Sequence, residues 1–312
     1  MKYENRLPEE GINASEDNPL KEFAWLLVGS LAILVVSVVA VSYGAQWLAP
    51  RLPFKYEARL ASGLDLVAPP KSEAARAAQG ELQALADRLA ARMHLPSGMQ
   101  VRVGFRDEPV VNAFATLGGQ TVFFRGLIEK LDSEDAVAMV MAHEIAHLKH
   151  RHPAAALGRG VAVGVLLSVV TAELGRSAAG GALNQAGVLT LLSFNRDQER
   201  EADDVALRVI AAEYGHLSGA VELFSAFNTL QAKMPAGMTQ VEFLRTHPLT
   251  ANRTAAVSAW AQANGVAMTV FSNSGMSLER TAVDVAKRVA LLIGDAVSGR
   301  LRRAGGWWFV IS

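Results

Sequence analysis

Four of the seven histidines in this 312-residue chain fall in one short run, MAHEIAHLKHRH, from Met141 to His152. His143 and His147 are four apart. On an α-helix that spacing stacks the two imidazoles one turn above the other on a single face, where neutral ring nitrogens can hold one metal ion. Glu144 is turned about 100° around the axis from His143. From there its carboxylate reaches a water at the metal rather than the metal itself. This is the H-E-x-x-H spacing, in which the glutamate serves as a general base. His150 and His152 read differently. With Lys149 and Arg151 they load the last turn of the helix with positive charge, which the macrodipole favours, and Pro153 ends it.

A catalytic zinc takes three protein ligands and keeps one position open. The extended pattern that supplies a third histidine needs glycine at 150 and histidine at 153. His150 and Pro153 stand there, so that pattern is excluded. A later carboxylate must serve, and the run SFNRDQEREADDVALRVIAAEYG, Ser193 to Gly215, offers one. Val205, Val209 and Ala212 give it a helical apolar face. Glu199 and Asp203 share another face. Glu199 is the expected third ligand. Asp203, one turn on, accepts a hydrogen bond from the back of a ligand histidine and fixes its tautomer. Glu201 points to a different side and reads as a solvated charge. The expected cofactor is one Zn2+ per chain.

These residues need elements to hold them. Asp132 or Ser133 caps the histidine helix, with Glu134 and Asp135 in its first turn. Upstream, from Glu81, Leu82, Leu85, Leu89 and Met93 repeat at helical spacing until Pro96 and Gly98 close the pattern. QVRVGF, Gln100 to Phe105, alternates as a strand. VVNAFATLGGQTVFFR puts Gly118 and Gly119 between two β-favouring runs, which predicts a hairpin. No internal repeat is present.

Apolar residues make up 51% of the chain and charged residues only 19%, and the mean hydropathy is positive. That balance points to membrane contact. Lysine plus arginine equals aspartate plus glutamate, so no basic field suggests nucleic acid. Without cysteine, disulfides and thiolate metal sites are excluded. FAWLLVGSLAILVVSVVAVSYGAQWLAP, Phe23 to Pro50, carries no charge and exceeds the roughly 20 residues a membrane span needs. Trp25 and Trp47 sit near its ends as interfacial aromatics do. A cleaved signal peptide would have a shorter apolar stretch nearer the N-terminus. Lys2, Arg6 and Lys21 before the span balance Arg51, Lys55 and Arg59 after it. The density directly after the span favours a cytoplasmic body.

Four motifs in order, NAFATLGGQTVFFRGLI, HEIAHLKHRH, NRDQEREAD and THPLTANR, resemble the family-48 gluzincin metallopeptidases from about Leu82 to Ala263. That group holds the HtpX-type proteases, the CAAX prenyl proteases and the mitochondrial Oma-type quality-control proteases. The resemblance implies His143, His147 and Glu199 as zinc ligands, Glu144 as general base and Asp203 as the carboxylate behind a ligand. It implies that His247 steadies the transition-state oxyanion and that Arg253 holds its loop. The strand with Asn112, Ala113 and Phe114 would lay out the substrate backbone beside the zinc. The single N-terminal span departs from the HtpX-type and prenyl-protease patterns and is similar to the Oma-like branch.

The expected fold is mainly α (α+β), a zincin-like catalytic domain with a small mixed β-sheet and an active-site HExxH helix, preceded by one transmembrane helix. The expected organisation is a tail over 1–23, the span over 24–49, a juxtamembrane connector over 50–80 and the peptidase domain over 81–263. Within that domain, 157–195 reads as an apolar helical hairpin packed on the body or dipping into the membrane surface. Residues 264–312 read as an amphipathic helix and tail. The expected function is a membrane-anchored zinc endopeptidase of a bacterial inner membrane. Its partners would be polypeptide substrates, misfolded or damaged membrane and envelope proteins by resemblance, and the lipid bilayer, with no nucleic acid. Oligomeric state is open. The alternatives are a non-catalytic zinc scaffold or chaperone, against which an intact Glu144 argues, and a prenyl-protein protease.

Overall fold

The computed structural model describes residues 19–63, 66–160, 194–232, 242–248 and 251–268. Its first element is α1, Pro19–Leu48, with none of its residues buried. The helix starts before residue 24 because the apolar run continues a helix already under way at Pro19, which is tolerated in a first turn. Its most apolar 18 residues reach a mean hydropathy of 2.6, and its 30 residues a length of about 45 Å. It is therefore long and apolar enough to cross a hydrocarbon core of about 30 Å. The Arg51 guanidinium lies over the Trp47 ring at 4.1 Å, which groups an aromatic and a cation at the end of the apolar stretch.

The stretch expected as connector is more ordered than that reading. Pro53 precedes a short helix, α2, Phe54–Ala61. Then α3, Glu73–Ala91, begins well before Glu81. Its alanine-rich start propagates a helix readily, and the Ser72 hydroxyl caps it by accepting from Ala75 N at 3.2 Å. Three strands follow: β1, Arg102–Arg106; β2, Ala113–Thr116; and β3, Gln120–Phe124. The order is β1-β3-β2, with β1 parallel to β3 and β2 antiparallel to it. The predicted hairpin is thus β2–β3. Its turn places Gly118 and Gly119 both at φ 73°, a left-handed conformation that glycine adopts without a Cβ clash. A Cβ on Gly118 would also collide with Ala61 of α2.

The outer edge of β1 is closed by α3, whose Gln83 side chain accepts from Val103 N at 2.8 Å and donates to Val101 O at 2.9 Å. Among the described residues no strand pairs with the outer edge of β2. A single turn, α4 (Arg125–Ile128), leads to α5, Glu134–Lys149. Ser133 is its cap, with Oγ 3.2 Å from Ala136 N. Every residue of α5 from Glu134 to Leu148 is buried, its carboxylates and imidazoles among them. It packs on α3, β2, α6 (Arg196–Tyr214) and α7 (Ser218–Ala232). Leu82, Leu85, Leu89, Phe105, Phe123, Ile145 and Phe227 fill the surrounding core, each fully buried side chain contributing about 1.5–3 kcal/mol. The short α8, Glu242–Thr246, and then α9, Ala251–Asn264, complete the described part. The expected hairpin over 157–195 and the C-terminal segment over 264–312 lie largely outside the described residues.

Candidate active site

The site forms where α5 crosses α6. The backbone ahead of α6 is fixed by a capping box. Asn195 Oδ1 accepts from Asp197 N at 3.0 Å and Gln198 N at 2.9 Å, while Gln198 Oε1 accepts from Asn195 N at 3.1 Å. Gln198 and Glu199 are consequently held in the first turn, and Glu199 turns inward. Its Oε1 lies 3.4 Å from His147 Nε2, and its Oε2 lies 3.6 Å from His143 Nε2. The two imidazole nitrogens are 3.0 Å apart. His247, just past α8, brings Nδ1 to 3.2 Å from His143 Nε2 and 2.9 Å from Glu199 Oε1. Three imidazoles and one carboxylate thus offer donor atoms that all lie within 4.8 Å of one another. His247, for which the resemblance implies an oxyanion role, is itself one of these donors.

That donor set fits a divalent transition ion, since nitrogen and carboxylate ligands at this spacing suit one. A second observation agrees. Both oxygens of Glu144 are buried with no hydrogen-bond partner among the described residues; His247 Nε2 at 3.4 Å is the near polar neighbour. An unsatisfied buried carboxylate beside a donor cluster calls for a small polar guest.

Behind the donors the charges are arranged to favour a cation. His143 Nδ1 is 3.0 Å from Asp203 Oδ1. Arg253 clamps Asp203 through Nε at 2.7 Å and Nη2 at 2.8 Å, and its Nη1 reaches Glu199 Oε2 at 2.7 Å. The same guanidinium donates to Pro248 O at 3.3 Å, so it also ties down the His247 loop. Burial opposes a charge on His143, yet its hydrogen bonds with Asp203 and Glu199 outweigh that and push its pKa up to about 9. Burial would raise the carboxyl of Glu199, but the imidazoles of His247, His143 and His147 around it hold it far below the usual range. For Asp203 burial is likewise overcome, by His143 and Arg253. His147 goes the other way: burial, offset in part by Glu199, keeps it neutral. A pocket that stabilises a proton between these groups stabilises a metal cation for the same reason.

The strand residues fall near this centre. β2 packs against α5, with Ala113 and Phe114 opposite Phe123 and Val122 of β3. Asn112 precedes β2, and its buried Oδ1 has no hydrogen-bond partner among the described residues. Val111 O accepts from Phe243 N at 3.2 Å, joining α8 to the strand entry.

Three features escaped the sequence reading. Phe194 stacks on His147, with ring centroids 4.0 Å apart and planes at 19°; a lone aromatic before a cap carries no spacing signal. His152 is not a dipole partner at a helix end. α5 stops at Lys149, Arg151 takes φ 59°, and a new helix over 152–160 starts with Pro153 in its first turn. The turn swings His152 inward, to Nδ1 2.8 Å from His147 Nδ1. Burial, with His150 beside it, pushes the His152 pKa down to about 3. Glu201 is exposed but not simply solvated: its Oε2 meets His152 Nε2 at 3.1 Å. Third, the buried Glu57 carboxylate of α2 pairs with Arg151 and accepts from Gly118 N at 2.9 Å. Arg151 also donates to Leu52 O at 3.1 Å.

Comparison with known proteins agrees with this geometry. The sequence profile of Peptidase family M48 matches residues 76–261. The mitochondrial metalloendopeptidase OMA1 of Schizosaccharomyces pombe is 30% identical over 155 residues, 49% of this chain and 44% of that protein. The beta-barrel assembly-enhancing protease of Escherichia coli K12 is 33% identical over 156 residues, 46% of this chain and 31% of the relative. OMA1 of Saccharomyces cerevisiae is 28% identical over 150 residues, 48% of this chain and 43% of its own length. The matched part spans less than half the length of these curated relatives. The profile covers more than half of this chain and contains every donor of the cluster; the chain belongs to peptidase family M48.

Proposed function

We propose that the chain is a membrane-anchored zinc endopeptidase, with His143, His147 and Glu199 as ligands and Glu144 as general base. The observation that carries the reading is a buried carboxylate, Glu144, without a hydrogen-bond partner among the described residues, next to four convergent donors. A scaffold that keeps a metal for structure has no use for such a base. Zinc, when bound, would polarise the scissile carbonyl and lower the pKa of water toward about 7.

The protein's own groups do the rest. Glu144 takes a proton from the attacking water and returns it to the amine nitrogen as the C–N bond breaks. His247, whose Nε2 is 3.4 Å from Glu144 Oε1, would donate to the carbonyl oxygen as it gains charge. Donors of this kind contribute roughly 3 kcal/mol where they have been removed. The edge of β2 that pairs with no described strand would offer backbone N–H and C=O groups to an extended substrate, with Asn112, Ala113 and Phe114 along it. Asp203 orients His143, and Arg253 holds Asp203, Glu199 and the His247 loop together.

The substrates are proposed to be misfolded or damaged proteins of the membrane and envelope, in line with relatives named as mitochondrial and barrel-assembly proteases. The full chain purified in detergent should contain zinc and cleave casein. A chelator should abolish cleavage and added Zn2+ restore it. Full activity after exhaustive metal removal would refute the reading; selective cleavage of prenylated peptides would favour the prenyl-protease alternative.

α1 is assigned as the anchor, with the body on the cytoplasmic side because Arg51, Lys55 and Arg59 follow it. Protease added outside spheroplasts should then spare the body, whereas digestion from that side would reverse the orientation.

A further inference from the structure

We infer that His152 is a positioning residue for the metal centre: backed by Glu201, it fixes the tautomer that aims His147 Nε2 at the ion. The inference deepens the proposed function and rests on its reading of His147 as a ligand. His147 Nε2 stands 3.0 Å from His143 Nε2 and 3.4 Å from Glu199 Oε1, so it must offer a lone pair there. A neutral imidazole carries one N–H. That proton is therefore on His147 Nδ1, which lies 2.8 Å from His152 Nδ1 and donates to it. His152 then carries its own proton on Nε2, 3.1 Å from Glu201 Oε2, and a carboxylate there only accepts. One proton arrangement satisfies the whole chain of contacts.

The reverse arrangement fails in a specific way. A proton on His152 Nδ1 would need a lone pair on His147 Nδ1. The His147 proton would move to Nε2 and block ligation. Glu201 excludes this by accepting at the far end. The other ligand shows the same logic in shorter form, because His143 Nδ1 meets the Asp203 carboxylate directly at 3.0 Å. For His147 the carboxylate acts through a second imidazole. The left-handed turn at Arg151 and the Phe194 ring stacked on His147 hold the two imidazoles in register. His152 is 4% exposed, so water does not readily take its place. The Glu201 side chain is 57% exposed, so water replaces its oxygen in part.

The test is Zn2+ affinity of the full chain in detergent, stripped of metal and titrated against a chromophoric chelator. His152→Leu should weaken binding by about 10–100-fold, the range for partners behind metal ligands. His152→Asn should recover most of it, since its Oδ1 can stand where the ring Nδ1 stood. Glu201→Gln keeps an acceptor and should bind near the wild-type level. Glu201→Lys can only donate; it forces the opposite tautomer and should fall with His152→Leu. Unfolding midpoints of the stripped proteins show whether each variant is folded. If His152→Leu does not fold, the exposed Glu201 pair decides. Wild-type affinity in Glu201→Lys, together with wild-type affinity in any folded His152→Leu, would overturn the relay. So would a second bound ion in the wild type that is lost on His150→Ala, because that ion would occupy His152 Nε2. A wild-type chain that binds no zinc would overturn the metallopeptidase reading itself and the relay with it.

Discussion

Glu144→Gln is expected to leave zinc content unchanged and to lower peptide cleavage by at least the 10²–10⁴-fold typical of general acid–base loss. The side chain is 0% exposed, and the substitution keeps its shape. Neither carboxylate oxygen makes a hydrogen bond among the described residues, so no structural bond is lost with the charge. The donors His143, His147 and Glu199 are untouched. Only the basic oxygen disappears, and with it the acceptor for the water proton. Metal analysis and casein cleavage on the same preparation separate the two quantities. Activity within a few fold of wild type would sink the assignment of Glu144. Loss of zinc along with activity would mean that the carboxylate helps to hold the ion.

The second large effect is expected at Glu199. Its two oxygens face both ligand histidines, and Arg253 holds one of them at 2.7 Å. Glu199→Ala removes the carboxylate from the cluster and leaves the Arg253 cation facing the histidines. Metal binding should be lost or weakened by orders of magnitude, since neutral imidazoles alone do not balance a divalent charge. Asp203→Ala should lie between, at roughly 10–100-fold, because it acts through the back of His143. Glu201→Ala should cost little, with solvent accepting from His152 in its place. Metal content of the three purified variants ranks them. An empty site in Glu201→Ala beside a filled one in Glu199→Ala would show that the wrong face of α6 had been turned toward α5.

Much of this centre is legible in the sequence because it is built from local spacing. His143 and His147 share a face of α5 by their separation of four, and so do Glu199 and Asp203 on α6. Ser133, one of the two caps expected for α5, marks where that helix starts, whereas the Asn195 capping box of α6 is read only from the structure. The antiparallel β2–β3 pair follows from two glycines between β-favouring runs. What was not legible depends on chain reversals and distant contacts. Pro153 reads as a helix stop, although proline suits a first turn equally well. The difference decides whether His152 faces solvent or His147. The helix at Phe54–Ala61 was not legible because prolines bracket it, and the early start of α3 at Glu73 was not legible because its first turns are alanine-rich and carry no leucine spacing. Glu57 in particular looks like any surface acid; only the fold places it against Arg151 and Gly118.

The Glu57 ion pair changes where the catalytic body can be said to begin. The family match opens at residue 76, and a fragment designed on that limit would look complete by alignment. It would enclose Arg151, 4% exposed, with no counter-ion, and would leave the Gly118 amide without its acceptor. Breaking a buried pair by removing one partner costs about 3–5 kcal/mol, a large share of the roughly 5–15 kcal/mol that holds a domain folded. A unit that keeps these contacts therefore reaches back to Leu52, whose carbonyl receives Arg151, four residues beyond the end of the long apolar helix at Leu48. A tilt of that helix in its surroundings has almost no slack in which to dissipate, and its load falls on the hairpin turn and on the end of the helix that carries both histidines.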